Sequence, residues 1–211
     1  MQLERTCPSP TPGGGLVVEE RQATWEDLKR QSTERLGPNA VFGEGPVGAT
    51  VAIVGEAPGE QEDRAGKPFV GRAGKLLNEL LEEAGIDRSE VYVTNTVKVR
   101  PTAEKDGRTK NRPPRVGEVR EGVEILLPEL RAVGPDVLVL LGNTPSKALI
   151  DKSFAMKKDR GVLRESILDL PAIATYHPAY LLRLQGTPSY DEAREEAIGD
   201  LKAARDAARG S

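Results

Sequence analysis

Thr50-Val51-Ala52-Ile53-Val54-Gly55-Glu56-Ala57-Pro58-Gly59 is the stretch that decides the fold of this chain. Its first five residues are apolar or β-branched, with no polar alternation and no helical spacing. Such a short run reads as a strand buried on both faces. Gly55 ends the run and opens a glycine-rich loop. Strands covered on both faces belong to parallel sheets flanked by helices, so further strands separated by helices are expected on either side.

The sequence supplies them. Residues 91–95 (Val-Tyr-Val-Thr-Asn), 136–141 (Asp-Val-Leu-Val-Leu-Leu) and 172–176 (Ala-Ile-Ala-Thr-Tyr) are three more runs of strand type. Residues 73–84 carry leucines at 76, 77, 80 and 81, a helical apolar stripe that Gly85 closes. Residues 116–133 and 191–209 also read as helices. Thr24, with Asp27 three places on, reads as the start of a helix running to Leu36, where Gly37-Pro38 stops it. Residues 100–114 carry three prolines and two basic-polar clusters without periodicity, and are expected to be a long loop. Strands alternating with helices define an α/β fold, a three-layer α/β/α sandwich around a central, mostly parallel four-stranded sheet. Residues 1–22, with Pro8, Pro10, Pro12 and Gly13-Gly14-Gly15, read as a flexible arm, and residues 23–209 as a single domain.

A chain of 211 residues, 37% hydrophobic and 30% charged, can bury a proper core. No run approaches a membrane span and no secretory leader is visible. The lone cysteine, Cys7, excludes an internal disulfide framework and any cluster held by several cysteines of one chain. A monomer in a reducing cytoplasm is the natural expectation. The net charge of -3 does not advertise nucleic-acid binding, but from Lys98 to Arg115 seven Lys/Arg face two acids. That excess reads either as a solvated loop or as an anion-facing surface.

The four strand runs end at Gly55, Asn95, Gly142 and His177, and in a parallel sheet these ends share one edge, where open α/β sheets build their sites. The loop after Gly55 has neither a phosphate-cradling lysine nor Gly-x-Gly-x-x-Gly, which argues against nucleotide triphosphates and dinucleotides. A carboxylate at Glu56, in a turn facing that edge, needs a partner or a task. His177 is the only histidine. It reads as a packing residue, or as a donor to a developing oxyanion or an acid or base, but not as the centre of a zinc site. Asn95 reads as a turn former, or as an amide whose adjacent acceptor and donor match the N3–H and O4 edge of a uracil-type base. The rotated amide would match cytosine. Phe69, in the Gly/Pro-rich stretch Pro68-Phe69-Val70-Gly71, reads as local packing or as a platform for a flat base.

Four motifs together resemble those of the family 4 uracil-DNA glycosylases. They are Gly55-Glu56-Ala57-Pro58-Gly59 with Glu62-Asp63, Gly66-Lys67-Pro68-Phe69-Val70-Gly71-Arg72-Ala73-Gly74, Thr94-Asn95-Thr96-Val97-Lys98, and His177-Pro178-Ala179-Tyr180-Leu181-Leu182-Arg183. Val41-Phe42-Gly43-Glu44-Gly45 fits the segment before the first strand, and the resemblance spans residues 24–205. It implies a uracil-DNA glycosylase-like fold and hydrolysis of the N-glycosidic bond of deoxyuridine in DNA. Glu56 would position the attacking water or stabilise the sugar cation. Ala57 would offer backbone groups to the base. Glu62 would stand near C5 and exclude thymine's methyl. Phe69 would stack on uracil, Asn95 would read its edge, and His177 would donate to its O2. Arg183, Lys98 and Arg100 are expected to meet the DNA backbone.

The chain departs from that family in one respect. The resemblance implies an iron–sulfur cluster on four cysteines, and Ser32, Arg35, Val99 and Glu121 stand at those places. No cluster, metal or organic cofactor is therefore expected, and packing or salt bridges must brace what the cluster would pin. The related family that bonds covalently to uracil-DNA through a loop histidine is disfavoured, since residues 100–114 contain none. A weakly active or inactive DNA-binding module on the same fold, and a nucleotide-binding α/β enzyme, are the competing readings.

Overall fold

The computed structural model describes residues 18–210. Residues 1–17 of the expected N-terminal arm, Cys7 among them, and Ser211 lie outside the described residues, whereas residues 18–22, also expected in the arm, are helical. The centre is a sheet of parallel strands β1 (Val51–Gly55), β2 (Tyr92–Asn95), β5 (Val137–Leu141) and β7 (Pro171–Thr175), in the order β2-β1-β5-β7. A two-residue strand, β6 (Arg164–Glu165), extends the sheet antiparallel to β7.

Consecutive apolar residues let each strand feed two cores at once. Val51, Ile53, Val137, Val139, Leu141 and Ile173 pack on one face against α3 (Arg72–Glu83), α7 (Pro178–Leu184) and α8 (Ser189–Arg209). Ala52, Val54, Leu138, Leu140, Ala172 and Ala174 pack on the other against α4 (Val116–Val133), with Leu149 of α5 (Asn143–Leu149) and Trp25 of α1 (Val18–Leu36). The leucine stripe at 76, 77, 80 and 81 is buried along α3. The three-layer architecture is the one the sequence predicts.

Two local expectations are corrected. Helix α1 begins at Val18, not at Thr24. The Thr24 hydroxyl donates to the Glu20 carbonyl at 2.8 Å from inside the helix, while Glu19 and Glu20 favour its positive first turn. Residues 100–114 are not a plain loop. They fold into a hairpin of β3 (Thr102–Lys105) and β4 (Arg108–Asn111), turned by Asp106 and Gly107 at φ 54° and 68°. Two left-handed residues in sequence make the turn type that matches strand twist, and Asp-Gly is its preferred pair.

A buried polar cluster joins the helices to the sheet. Glu129 of α4 is buried and accepts from the Tyr92 hydroxyl at 2.7 Å, Thr94 Oγ1 at 3.0 Å and the Gly43 amide at 3.1 Å. Its other oxygen pairs with Lys98. Trp25 Nε1 donates to the Tyr92 hydroxyl at 2.7 Å, bringing α1 into the network. Lys98 Nζ also donates to Thr94 Oγ1 at 2.7 Å and to the Asn95 carbonyl at 2.8 Å, so its three donors are all used. Burial lowers the Lys98 pKa, against the pull of Glu129. Burial and the same carboxylate push the Tyr92 phenol upward. On the surface, Arg35 of α1 pairs with Glu121 and Glu124 of α4 at 3.2 and 3.3 Å. Exposed pairs of that kind contribute at most about 1 kcal/mol, so the buried cluster is the stronger brace.

Removing one partner of a buried pair leaves an uncompensated charge. Lys98→Met is therefore expected to destabilise the fold by roughly 3–5 kcal/mol, read from urea unfolding. Adding Glu129→Leu should recover part of the loss. An unchanged midpoint in the single variant would contradict the brace.

Candidate active site

The carboxyl ends of the parallel strands open into a cleft of about 870 Å³, whose walls include Glu56, Phe69, Asn95, Gly142 and His177. The first two strand ends are stitched together. The Gly55 carbonyl accepts from the Thr96 amide at 2.8 Å and from its hydroxyl at 2.9 Å, and the Glu56 carbonyl accepts from the Val97 amide at 2.9 Å. Gly55 is needed at this place. A Cβ there would sit 2.4 Å from Asn95 Oδ1 and 2.5 Å from Phe69 Cζ. Only a residue without a side chain lets those two groups converge.

Phe69 is held in an unusual conformation, with φ at 53°. For a bulky residue this costs on the order of 1–3 kcal/mol and persists only where the surroundings enforce it. They do so from two sides. Gly74 in α3 admits the Phe69 carbonyl, which would lie 1.6 Å from a Cβ at that position. Glu62 of α2 (Glu60–Ala65) accepts from the Gly59 amide at 3.1 Å and the Gly71 amide at 2.8 Å, tying the glycine loop to the segment that carries Phe69. The Phe69 ring then lies 5.9 Å from the imidazole of His177, tilted by 31°.

Asn95 is 2% exposed, and its Oδ1 is a buried acceptor without a hydrogen-bond partner among the described residues. Such an acceptor is costly in a native interior unless a ligand or a water completes it. His177 caps α7, and its Nδ1 accepts from the Ala179 amide at 3.1 Å. A neutral ring accepting at Nδ1 carries its proton on Nε2. Burial, then the charge of Arg183, push the His177 pKa down to about 4. The ring is thus a neutral donor at physiological pH. Glu56 is half-buried and accepts from the hydroxyl of Thr144, at the start of α5.

Of the residues expected from sequence, Glu56, Ala57, Glu62, Phe69, Asn95, His177 and Arg183 all line this cleft. Glu62 has both carboxylate oxygens committed to backbone amides, so its first effect is to hold the loops in register. Arg183 is exposed at the rim, its guanidinium 5.8 Å from the Tyr180 ring. Lys98 and Arg100 are corrected. Lys98 is 1% exposed and belongs to the Glu129 cluster, because an ammonium beside a buried carboxylate is held there by charge. The Arg100 side chain is 12% exposed. It donates to Asn111 Oδ1 at 2.6 Å and pairs with Glu60 at 3.5 Å and Asp63 at 3.7 Å, bracing the hairpin against α2. Lys98 has no donor left for DNA, and Arg100 is engaged by Asn111, Glu60 and Asp63. Thr144 is the residue that sequence reasoning missed. Its signal was the end of the third strand run at Gly142, two residues earlier. Among the described residues no group of three or more His, Cys, Asp or Glu is arranged to hold a metal ion.

The chain belongs to the uracil DNA glycosylase superfamily, whose family profile matches residues 42–202 and so spans every strand of the central sheet. The chain is similar to the Type-4 uracil-DNA glycosylase of Thermotoga maritima, with 40% identity over 79% of this chain and 82% of the relative. It is also similar to the Type-4 enzymes of Pyrobaculum aerophilum, at 38% over 69% and 74%, and of Archaeoglobus fulgidus, at 37% over 77% and 82%.

The histidine makes a pH prediction. Unfolded, His177 titrates near 6.5; folded, it takes a proton only near 4. Between those values the unfolded chain binds more protons, so stability falls as pH drops from about 6.5 to about 4. The expected outcome is that His177→Gln flattens the stability profile over that interval, measured by urea unfolding at successive pH values.

Proposed function

We propose that the protein is a uracil-DNA glycosylase that works through this cleft, hydrolysing the N-glycosidic bond of deoxyuridine flipped out of DNA. Family membership supports the activity, and one structural observation carries the reading of the site: the buried Oδ1 of Asn95, unpartnered among the described residues. A uracil N3–H would complete it, while the amide nitrogen donates to O4. Phe69 supplies a ring face for stacking. Extrusion from the duplex costs a few kcal/mol, least for a mispaired base, and contacts of exposed cations such as Arg183 with phosphates offset it.

Bond breaking leaves the C1′–N1 electron pair on the base, with charge delocalised to O2. The Nε2–H of a neutral His177 donates to that oxygen. A neutral donor stabilises the leaving anion and needs no proton transfer to do so. Preorganised donors of this kind are worth roughly 3–4 kcal/mol. The Glu56 carboxylate, oriented by Thr144, favours the oxocarbenium-like sugar and orients the water that attacks C1′. The water's proton passes to the carboxylate and on to solvent, and the uracil anion is protonated after release. Ala57 contributes backbone groups along the base.

The residues present do not fit an iron–sulfur cluster. Ser32, Arg35, Val99 and Glu121 stand at the places the resemblance assigns to ligands, and Arg35 and Glu121 pair with each other instead. Purified protein should contain no stoichiometric iron and no visible absorbance of such a centre; iron in stoichiometric amount would refute the assignment. An inactive DNA-binding module would leave the Asn95 acceptor and the enforced Phe69 conformation without a task.

The decisive test is uracil release from single- and double-stranded oligonucleotides. His177→Ala should lower the single-turnover rate roughly 100- to 1,000-fold with the fold intact. Thr144→Val should lower it by a smaller factor, through a freed Glu56. Asn95→Asp should weaken discrimination between uracil and cytosine DNA, and unchanged discrimination would contradict the assigned base reading.

A further inference from the structure

The hairpin of residues 102–111 sorts its charges by face. Directly paired residues of a hairpin share a face, and faces alternate along each strand. The register pairs Ala103 with Lys110 and Lys105 with Arg108, which puts Lys105, Arg108 and Lys110 together on one face. It pairs Thr102 with Asn111 and Glu104 with Thr109, so the strand carboxylate falls on the other. There Glu104 accepts from the Thr109 hydroxyl at 2.6 Å, and Asn111 accepts from Arg100. The three cations are exposed, and none forms an ion pair among the described residues.

This arrangement works against the hairpin's own stability. Lys105 and Arg108 are like charges directly opposite one another, a pairing that destabilises an isolated ribbon. The cost is met at the root. The Arg112 guanidinium donates to both oxygens of Glu118, at 2.6 and 2.7 Å, and to the Thr102 carbonyl at 2.9 Å. Arg112 and the Arg115 amide together hold the Glu118 carboxyl down at about 2. Arg100 clamps the other side through Asn111, Glu60 and Asp63. A rigidly rooted ribbon whose one face carries Ala103 and three cations but no carboxylate suits an anionic partner supplied from outside. Its root residues Pro101, Asn111 and Arg112 line the cleft, and Arg183 and Lys157 line it as well.

From this geometry we propose that the Lys105–Arg108–Lys110 face of the hairpin is a clamp for the DNA sugar-phosphate backbone beside the flipped nucleotide. The partner is the phosphate backbone of the nucleic acid that enters the cleft, so the proposal rests on the glycosylase reading. Contacts to phosphate give affinity and register without sequence preference. A ribbon continuous with the cleft rim would hold the strand close to the cleft while one nucleotide is extruded. With a net charge of -3, the chain can attract DNA only through localised positive surfaces, and this face is one.

The test is the salt dependence of binding to a uracil-containing duplex, measured by fluorescence anisotropy with Glu56→Gln as the common background to suppress turnover. Replacing Lys105, Arg108 and Lys110 together by Gln should flatten the slope of log Kobs against log salt by about 2–3 units. Between 50 and 200 mM salt the parent should then lose roughly 40-fold more affinity than the variant. An unchanged slope overturns the proposal. So does a slope restored by adding Glu104→Lys, since charge on the opposite face would then serve equally well. Uracil release by the unmodified chain is assayed separately. Its absence would defeat the glycosylase reading, whereas the binding slope reports on the hairpin without any turnover.

Discussion

The buried carboxylate of Glu129 is the constraint around which the rest of the molecule is organised. A charge taken out of water must be fully paired. Its four partners come from two distant stretches of the chain: Gly43 before β1, and Tyr92 and Thr94 in β2 with Lys98 just beyond it. Satisfying one side chain therefore fixes the segment before β1, the second strand and α4 relative to one another. Trp25 adds α1 through Tyr92. The consequence for the site is direct. Lys98 also donates to the Asn95 carbonyl, so the residue whose amide faces the cleft is held from behind by the core's own ion pair. Burial lowers the Lys98 pKa, and the contact to Glu129 works against that.

The cleft shows a second economy, the use of missing side chains. Gly55 makes room for Asn95 and Phe69 to approach, and Gly74 makes room for the Phe69 backbone. Glu62 then locks the two loops together through backbone amides. Strain at Phe69 is thereby enforced from several directions, which keeps its ring in place before any base arrives. His177 follows the same logic. The helix it caps takes its Nδ1 as acceptor, and this leaves the proton on Nε2 as a donor. Burial keeps the ring neutral. Preorganisation of this kind costs folding energy and lowers the reorganisation needed at the moment of reaction.

Much of this was legible in the sequence because its signals are local. Strand runs, glycine stops and the leucine stripe predicted every parallel strand and the principal helices, since period and length alone distinguish them. The order of the motifs identified the family and the cleft residues at the strand ends. The hairpin was missed although Asp106-Gly107 announces it, because the flanking residues are polar on both faces and show no apolar alternation. The residue type of Thr24 suits a cap, but the helix extends past it to an acidic first turn at Glu19 and Glu20. Lys98 and Arg100 looked like surface cations because charge counts do not report burial.

The sequence by itself determined the α/β architecture, the family and the identity of the groups at the sheet edge, for these depend on hydrophobic period and on residues fixed within short motifs. Only the tertiary structure decided which cations are free and which are spent. Lys98 lies beside Glu129, 31 residues away, and Arg100 beside Glu60, 40 residues away. Lys105, Arg108 and Lys110 share a face because of strand register. It likewise decided that Thr144 holds Glu56, a contact across 88 residues. Electrostatic partners are chosen by proximity in space and by burial, and neither is written in the spacing of charges along a chain.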